Sequence, residues 1–142
     1  MSKRSWDLSL STGVGVIDIQ NRRIVDYLNL LDSAQEEGAA EQVSLVLAGL
    51  NEFVERHFPY EERLMDRSGY PLTLWHAAAH ERFKVMVKEY QVRHEAGENI
   101  IQSLYVDLEV WLAEHIQQED LYYAPYVKVT LNEVWFSRLF RR

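Results

Sequence analysis

The chain has 142 residues, 47% of them apolar, enough for a single domain with a real core. Its 15 basic residues against 22 acidic give a formal charge of −7, which argues against a nucleic-acid surface. Cysteine is absent, so disulfides, thiolate metal sites and thiol chemistry are excluded, and no apolar run approaches the roughly 20 residues that span a bilayer. The start, Met1-Ser2-Lys3-Arg4-Ser5-Trp6-Asp7, carries no apolar signal core, and a cytoplasmic location is expected.

Residues 1–16 read as an N-terminal arm in which Gly13 and Gly15 discourage helix and Trp6, Leu8 and Leu10 are free to pack on the body. From Asp18, a candidate N-cap, Ile17, Ile24, Tyr27, Leu28 and Leu31 recur at helical spacing, and Gly38 is the expected stop. A second helix is expected from Ala40 to Asp66. Its inner stripe is Val43, Val46, Leu47, Leu50, Phe53, Val54, His57, Glu61 and Leu64, and Pro59 inside it removes a backbone donor and predicts a kink. Ser68-Gly69-Tyr70-Pro71 breaks the chain. A third helix is expected from Leu72 to His94, with Leu72, Trp75, His76, Ala79, His80, Phe83, Val87 and Tyr90 inward, closed by Glu95-Ala96-Gly97. The fourth runs from Asn99 to Tyr123, with Ile101, Leu104, Leu108, Trp111, Leu112, His115 and Ile116 inward and Pro125 beyond its end. Residues 129–142 form an aromatic, basic tail able to make a short fifth helix. Long helices joined by short links predict an all-α, antiparallel up-down four-helix bundle filling one domain, 1–142.

Four of the five histidines fall at inner phases of three helices. His57 and Glu61 share a face, as do His76 and His80, each pair being four apart. A single buried histidine is ordinary core structure and a lone His-x-x-x-His is a weak signal. Four would be desolvated for no return in an apolar core, so a metal site is the better reading. Beside His115, Glu119 stands at the helical offset of four. Asp120, five away, points about 140° off unless a widened turn or the fraying end of the helix brings it round, and spacing alone does not choose between Glu119 and Asp120. Glu62 is expected to face solvent, and His94 to interact with its helix C-terminus. Imidazole with carboxylate and no thiolate suits iron, manganese or zinc. The Glu-x-x-His pairs of ferritin-like bundles and the zinc-protease His-Glu-x-x-His are both missing.

Three segments together resemble the hemerythrins, most closely the bacterial ones. They are His57-Phe58-x-x-Glu61-Glu62-x-x-Met65, His76-x-x-x-His80 fifteen residues beyond Glu61, and Trp111-Leu112-x-x-His115-Ile116-x-x-x-Asp120, and the likeness spans Trp6 to Tyr126. The resemblance implies two non-haem, carboxylate-bridged iron ions that bind O2 reversibly. His76, His80 and His115 would hold one iron, Glu61 and Asp120 would bridge, and the second iron would take His57 plus a first-helix histidine in an Ile-x-x-Gln-His motif. The matching stretch here is Ile17-Asp18-Ile19-Gln20-Asn21, so Asn21 stands at a ligand position. A neutral amide is a weaker donor than imidazole. Three outcomes follow: a di-iron centre with altered oxygen chemistry, a weak or empty second site, or a vestigial centre. The first is favoured because six ligand positions remain.

Phe58, Trp111, Leu112, Ile116 and Tyr123 are candidates for the wall of a dry oxygen pocket, and serve equally as core. An oxygen-binding or oxygen-sensing protein is the leading expectation, not an enzyme. A signalling or motility adaptor that docks a protein partner through residues 129–142 is the alternative, and a di-iron oxidase or peroxidase a weaker one.

Overall fold

The computed structural model describes residues 5–34 and 39–139, with side chains as far as Val129. It is all-helical among the described residues, and four rods form an up-down bundle. The first rod is α1 (Gly15–Ser33). The second joins α2 (Ala39–Glu52) to α3 (Phe58–Arg67) through a π-helical turn, Phe53–His57. The third is α4 (Thr73–Glu95). The fourth joins α5 (Ile101–Trp111) to α6 (Asp120–Leu139) through a longer π-helical segment, Leu112–Glu119. α1 packs on α2 and α5, α4 packs on α2 and α3, and α3 also packs on α6.

Helix α1 begins three residues before the expected start. Gly15 is helical, the N-cap is Val14, and Val14 offers no side-chain bond. Asp18 lies in the first turn and ties down the arm instead. Its carboxylate accepts from the Ser11 hydroxyl (2.7 Å), the Thr12 amide (2.8 Å) and hydroxyl (2.7 Å), and the Gly13 amide (3.3 Å). The arm makes a 3-10 turn, Leu8–Leu10, that buries Leu10 and packs Trp6 on the core, while Leu8 is 90% exposed. The expected stop at Gly38 lies outside the described residues.

Pro59 does not break the second rod. The turn before it widens so that the Phe58 amide donates to the Phe53 carbonyl, five residues back. Pro59 then occupies the first turn of α3, where no backbone donor is needed. Gly69 and Gly97 close α3 and α4 at φ +68° and +86°, a backbone region that glycine enters without steric cost. Of the side chains expected inward on α4, Leu72 (48% exposed) and Trp75 (44%) are on the surface, because the helix starts only at Thr73 and they flank its open end. The fourth rod does not stop before Pro125. α6 runs through it to Leu139, so residues 129–139 of the segment expected as a separate tail continue this helix. The carbonyl that Pro125 leaves without an amide is that of Leu121, a residue 38% exposed, where water can take the bond.

The core falls into two clusters. The larger is built from Ile24, Leu28, Leu50, Phe53, Phe58, Phe83, Leu104, Leu108, Leu112 and Ile116 among others. The smaller holds Val14, Ile17, Leu64, Met65, Tyr70, Tyr123, Ala124 and Val127. Asn21, His57, Glu61, His76, His80, His115 and Asp120 are buried polar residues belonging to neither cluster.

Candidate metal centre

Each rod sends residues to this polar group. α1 supplies Asn21, the second rod His57 and Glu61, α4 His76 and His80, and the fourth rod His115 and Asp120. All are at most 3% exposed. The α-helical offset of four aligns His57 with Glu61 and His76 with His80. Asp120 is aligned differently. Its amide donates to the His115 carbonyl five residues back, and this widened turn brings the two side chains together, His115 Nε2 lying 3.1 Å from Asp120 Oδ1.

The two carboxylates divide their oxygens between two sets of residues. Glu61 Oε1 lies 2.7 Å from His76 Nε2 and 3.1 Å from His80 Nε2, while its Oε2 lies 2.9 Å from His57 Nε2. Asp120 Oδ1 lies 3.1 Å from both His76 and His115 Nε2, while its Oδ2 accepts from the Asn21 amide at 3.0 Å. His76, His80 and His115 thus gather on one side of the carboxylates, and His57 and Asn21 on the other. Ligand atoms of Glu61, His76, His80 and His115 all lie within 4.8 Å of one another.

Outer contacts orient three of the imidazoles. The Nδ1 of His80 meets Glu62 Oε2 (3.2 Å), that of His115 meets Glu119 Oε2 (2.7 Å), and that of His57 meets Gln20 Oε1. These oxygens only accept, so each Nδ1 carries the proton and the inner Nε2 of the neutral ring is left as a lone pair. Rings are also held flat: Phe58 stacks on His80 (3.9 Å between centroids) and Trp111 on His115 (3.8 Å), with Tyr123 edge-on to His76.

A cation fits this arrangement. His80 and His115 Nε2 face each other at 3.2 Å, two lone pairs that repel unless a proton or a metal lies between them. Glu61 Oε2 and Asp120 Oδ1 are buried and close to imidazole nitrogens, yet none of those contacts has hydrogen-bond alignment. Without metal, protons must do this work. Burial opposes charge on His76, but the Asp120 and Glu61 carboxylates outweigh it and push the pKa up to about 10. His115 moves the same way, burial being outweighed by Asp120 and Glu119. Burial likewise raises the pKa of Glu61 and Asp120, and the surrounding histidines more than reverse it, holding both below their usual range.

Several residues lie where spacing did not put them. Glu62, expected in solvent, is behind His80. Glu119, the rival of Asp120, is behind His115 on the outer side. Gln20 had no assigned role, although it stands at the Gln of the Ile-x-x-Gln-His motif, which was the signal available. His94 bonds through Nε2 to the Ser44 hydroxyl of α2 at 2.9 Å. Of the candidate pocket wall, Phe58, Trp111, Leu112 and Ile116 lie with the larger cluster and Tyr123 with the smaller, so they flank the polar group from two sides.

Residues 12–127 match the hemerythrin HHE cation-binding domain family. The chain is 37% identical to a bacteriohemerythrin of Stenotrophomonas maltophilia, over 96% of this chain and 95% of that one. It is 35% identical to a bacteriohemerythrin of Pseudomonas paraeruginosa, over 100% and 98%. Among solved structures, a crystal structure of wild-type hemerythrin superposes with a TM-score of 0.78 at 29% identity, covering 89% of this chain and 98% of that chain.

Proposed function

This chain belongs to the hemerythrin family, and we propose that it binds or senses O2 at a non-haem di-iron centre whose second iron site is altered at Asn21. The observation that carries the reading is the division of the carboxylate oxygens. Glu61 and Asp120 each present one oxygen to the His76, His80 and His115 side and the other to the His57 and Asn21 side. His76, His80 and His115 would hold one cation and His57 the other, with Glu61 and Asp120 offering an oxygen to each side. Reduced iron held there would supply the electrons for reversible oxygen binding.

The protein does the rest. Nδ1 contacts hold the rings in the tautomer a metal requires. Phe58, Leu112 and Ile116 on one side and Tyr123 on the other, all at most 3% exposed, keep water from the reacting centre. Asn21 is the weak point. Its Nδ2 donates to Asp120 and its Oδ1 is buried without a partner. A half-turn of the amide exchanges the two atoms and offers oxygen, a poorer donor than imidazole, to the second site.

Iron, manganese and zinc per chain, measured on protein from iron-supplied cells, test the reading. About two irons support it. One iron, or zinc alone, sinks the di-iron part. Asn21→His then restores an imidazole and is expected to slow autoxidation; an unchanged rate and spectrum would remove Asn21 from the second site.

A second reading is an adaptor. Trp75 (44% exposed) and Tyr122 (57%) lie 6.5 Å apart between ring centroids, an exposed aromatic pair between the start of α4 and α6, the helix that leads into residues 129–142. Deleting 129–142 keeps the iron and removes a bound partner under this reading. Iron and partner lost together would count against it.

A further inference from the structure

The outer partners of the histidines differ in charge from one side of the site to the other. Behind His80 and His115 stand two carboxylates, Glu62 and Glu119. Behind His57 stands the neutral amide of Gln20, and the next residue, Asn21, is neutral too. His76 Nδ1 is buried with no partner.

Both carboxylates reach partly into surface clefts. The Glu62 side chain is 35% exposed and lines a cleft of about 220 Å³ together with His80 and Lys84. The Glu119 side chain is 18% exposed and lines another of about 200 Å³ together with His115 and Arg82. The clefts leave the carboxylates partly open to solvent. The imidazoles they hold are 2% and 3% exposed, so the negative charge acts on the interior through the ring. An anionic acceptor draws on Nδ1–H, gives the ring imidazolate character and makes Nε2 a stronger donor, which favours the higher oxidation state of a bound iron. A neutral acceptor does this far less.

We propose that Glu62 and Glu119 are positioning residues that give the three-histidine side the lower reduction potential, so that a half-oxidised centre keeps its ferric ion on His76, His80 and His115. This rests on the di-iron reading above and adds to it a direction for electron flow: the His57 and Asn21 side is reduced first and oxidised last.

Glutamine separates this role from a structural one, because its amide oxygen still accepts from Nδ1. The iron-loaded full chain is prepared with E62Q, E119Q, both together, and Q20E. Iron per chain and the stepwise reduction potentials are measured on the same samples. The expected result is unchanged iron content with the lower potential raised in each glutamine variant and raised further in the double. Q20E, which puts charge behind His57, lowers the upper potential and narrows the gap. Potentials that stay put with iron retained overturn the proposal. A single iron per chain whose potential rises in the glutamine variants sinks the di-iron reading and supports the charge asymmetry. If a glutamine variant loses iron, the ¹⁵N shifts of Nδ1 in the zinc-loaded native chain decide. Imidazolate-like shifts at His80 and His115 but not His57 support the proposal, and equal shifts overturn it. A chain that takes up neither metal overturns both ideas.

Discussion

Asp18 and His76 show how much a single side chain does here. Asp18 accepts four hydrogen bonds that hold the arm to α1. Asp18→Ala should cost about 1–3 kcal/mol, read from a denaturant midpoint, because it leaves those donors unpaired. His76 ties protonation to metal. Its folded pKa of about 10 stands above the ordinary 6.5, so its contribution to metal-free stability is full below pH 6.5 and is lost as pH rises through 10. Glu61 and Asp120 are depressed from 4.5 and 3.8, so their contributions are present above those values and lost as pH falls. Chelated protein should therefore be most stable between about pH 4.5 and 6.5, and urea midpoints across pH check this. Metal must displace the His76 proton. Zinc added near neutral pH should release protons, measurable with an indicator dye, and affinity should rise toward pH 10.

At the scale of elements, the two π-helical stretches decide where functional side chains point. Leu112–Glu119 turns Asp120 back onto His115. Deleting Gln117 should return this stretch to α-helix and leave Asp120 four residues from His115, still on its face. The expected outcome is a chain with unchanged far-UV helicity that still binds iron. Lost iron would mean that the wide turn itself, and not only the alignment of Asp120 with His115, is needed. Helix existence was plain from apolar periodicity, and so was the face carrying His57, Glu61, His76 and His80, because α-helical offsets of four are geometric. The widened turn at His115 was one of two ways left open for Asp120, since no local residue preference marks a π turn. Pro59 and Pro125 misled for a related reason. Proline removes one donor, and a wide turn or solvent at the freed carbonyl accommodates that without breaking the rod.

For the molecule as a whole, two apolar clusters enclose one polar layer. Leu28 and Leu108 sit in the larger cluster and are 0% exposed. Leu28→Ala or Leu108→Ala should cost about 2–5 kcal/mol of stability while leaving iron per chain unchanged, since each lies about two helical turns along its rod from Asn21 or His115. Lost iron at full stability would show that core and site are not separable. No helix among the described residues is long and apolar enough to cross a membrane.

The bundle, its rod order and the identities of the buried histidines and carboxylates were already legible in the chain, because burial periodicity and ligand chemistry are written residue by residue. The surroundings of each ligand were not. Glu62 lies next to the inward Glu61 and reads as solvent-facing, Gln20 reads only as the glutamine of a motif with no partner assigned, and Glu119 reads as a competitor of Asp120. Which imidazole each one meets depends on how neighbouring rods are rotated and where a turn widens. For Glu62 and Gln20 those are set by packing across the bundle, where the contacts join residues 18 and 37 positions apart; Glu119 keeps its local offset of four from His115, and only the widened turn decides that Asp120 and not Glu119 takes the inner place.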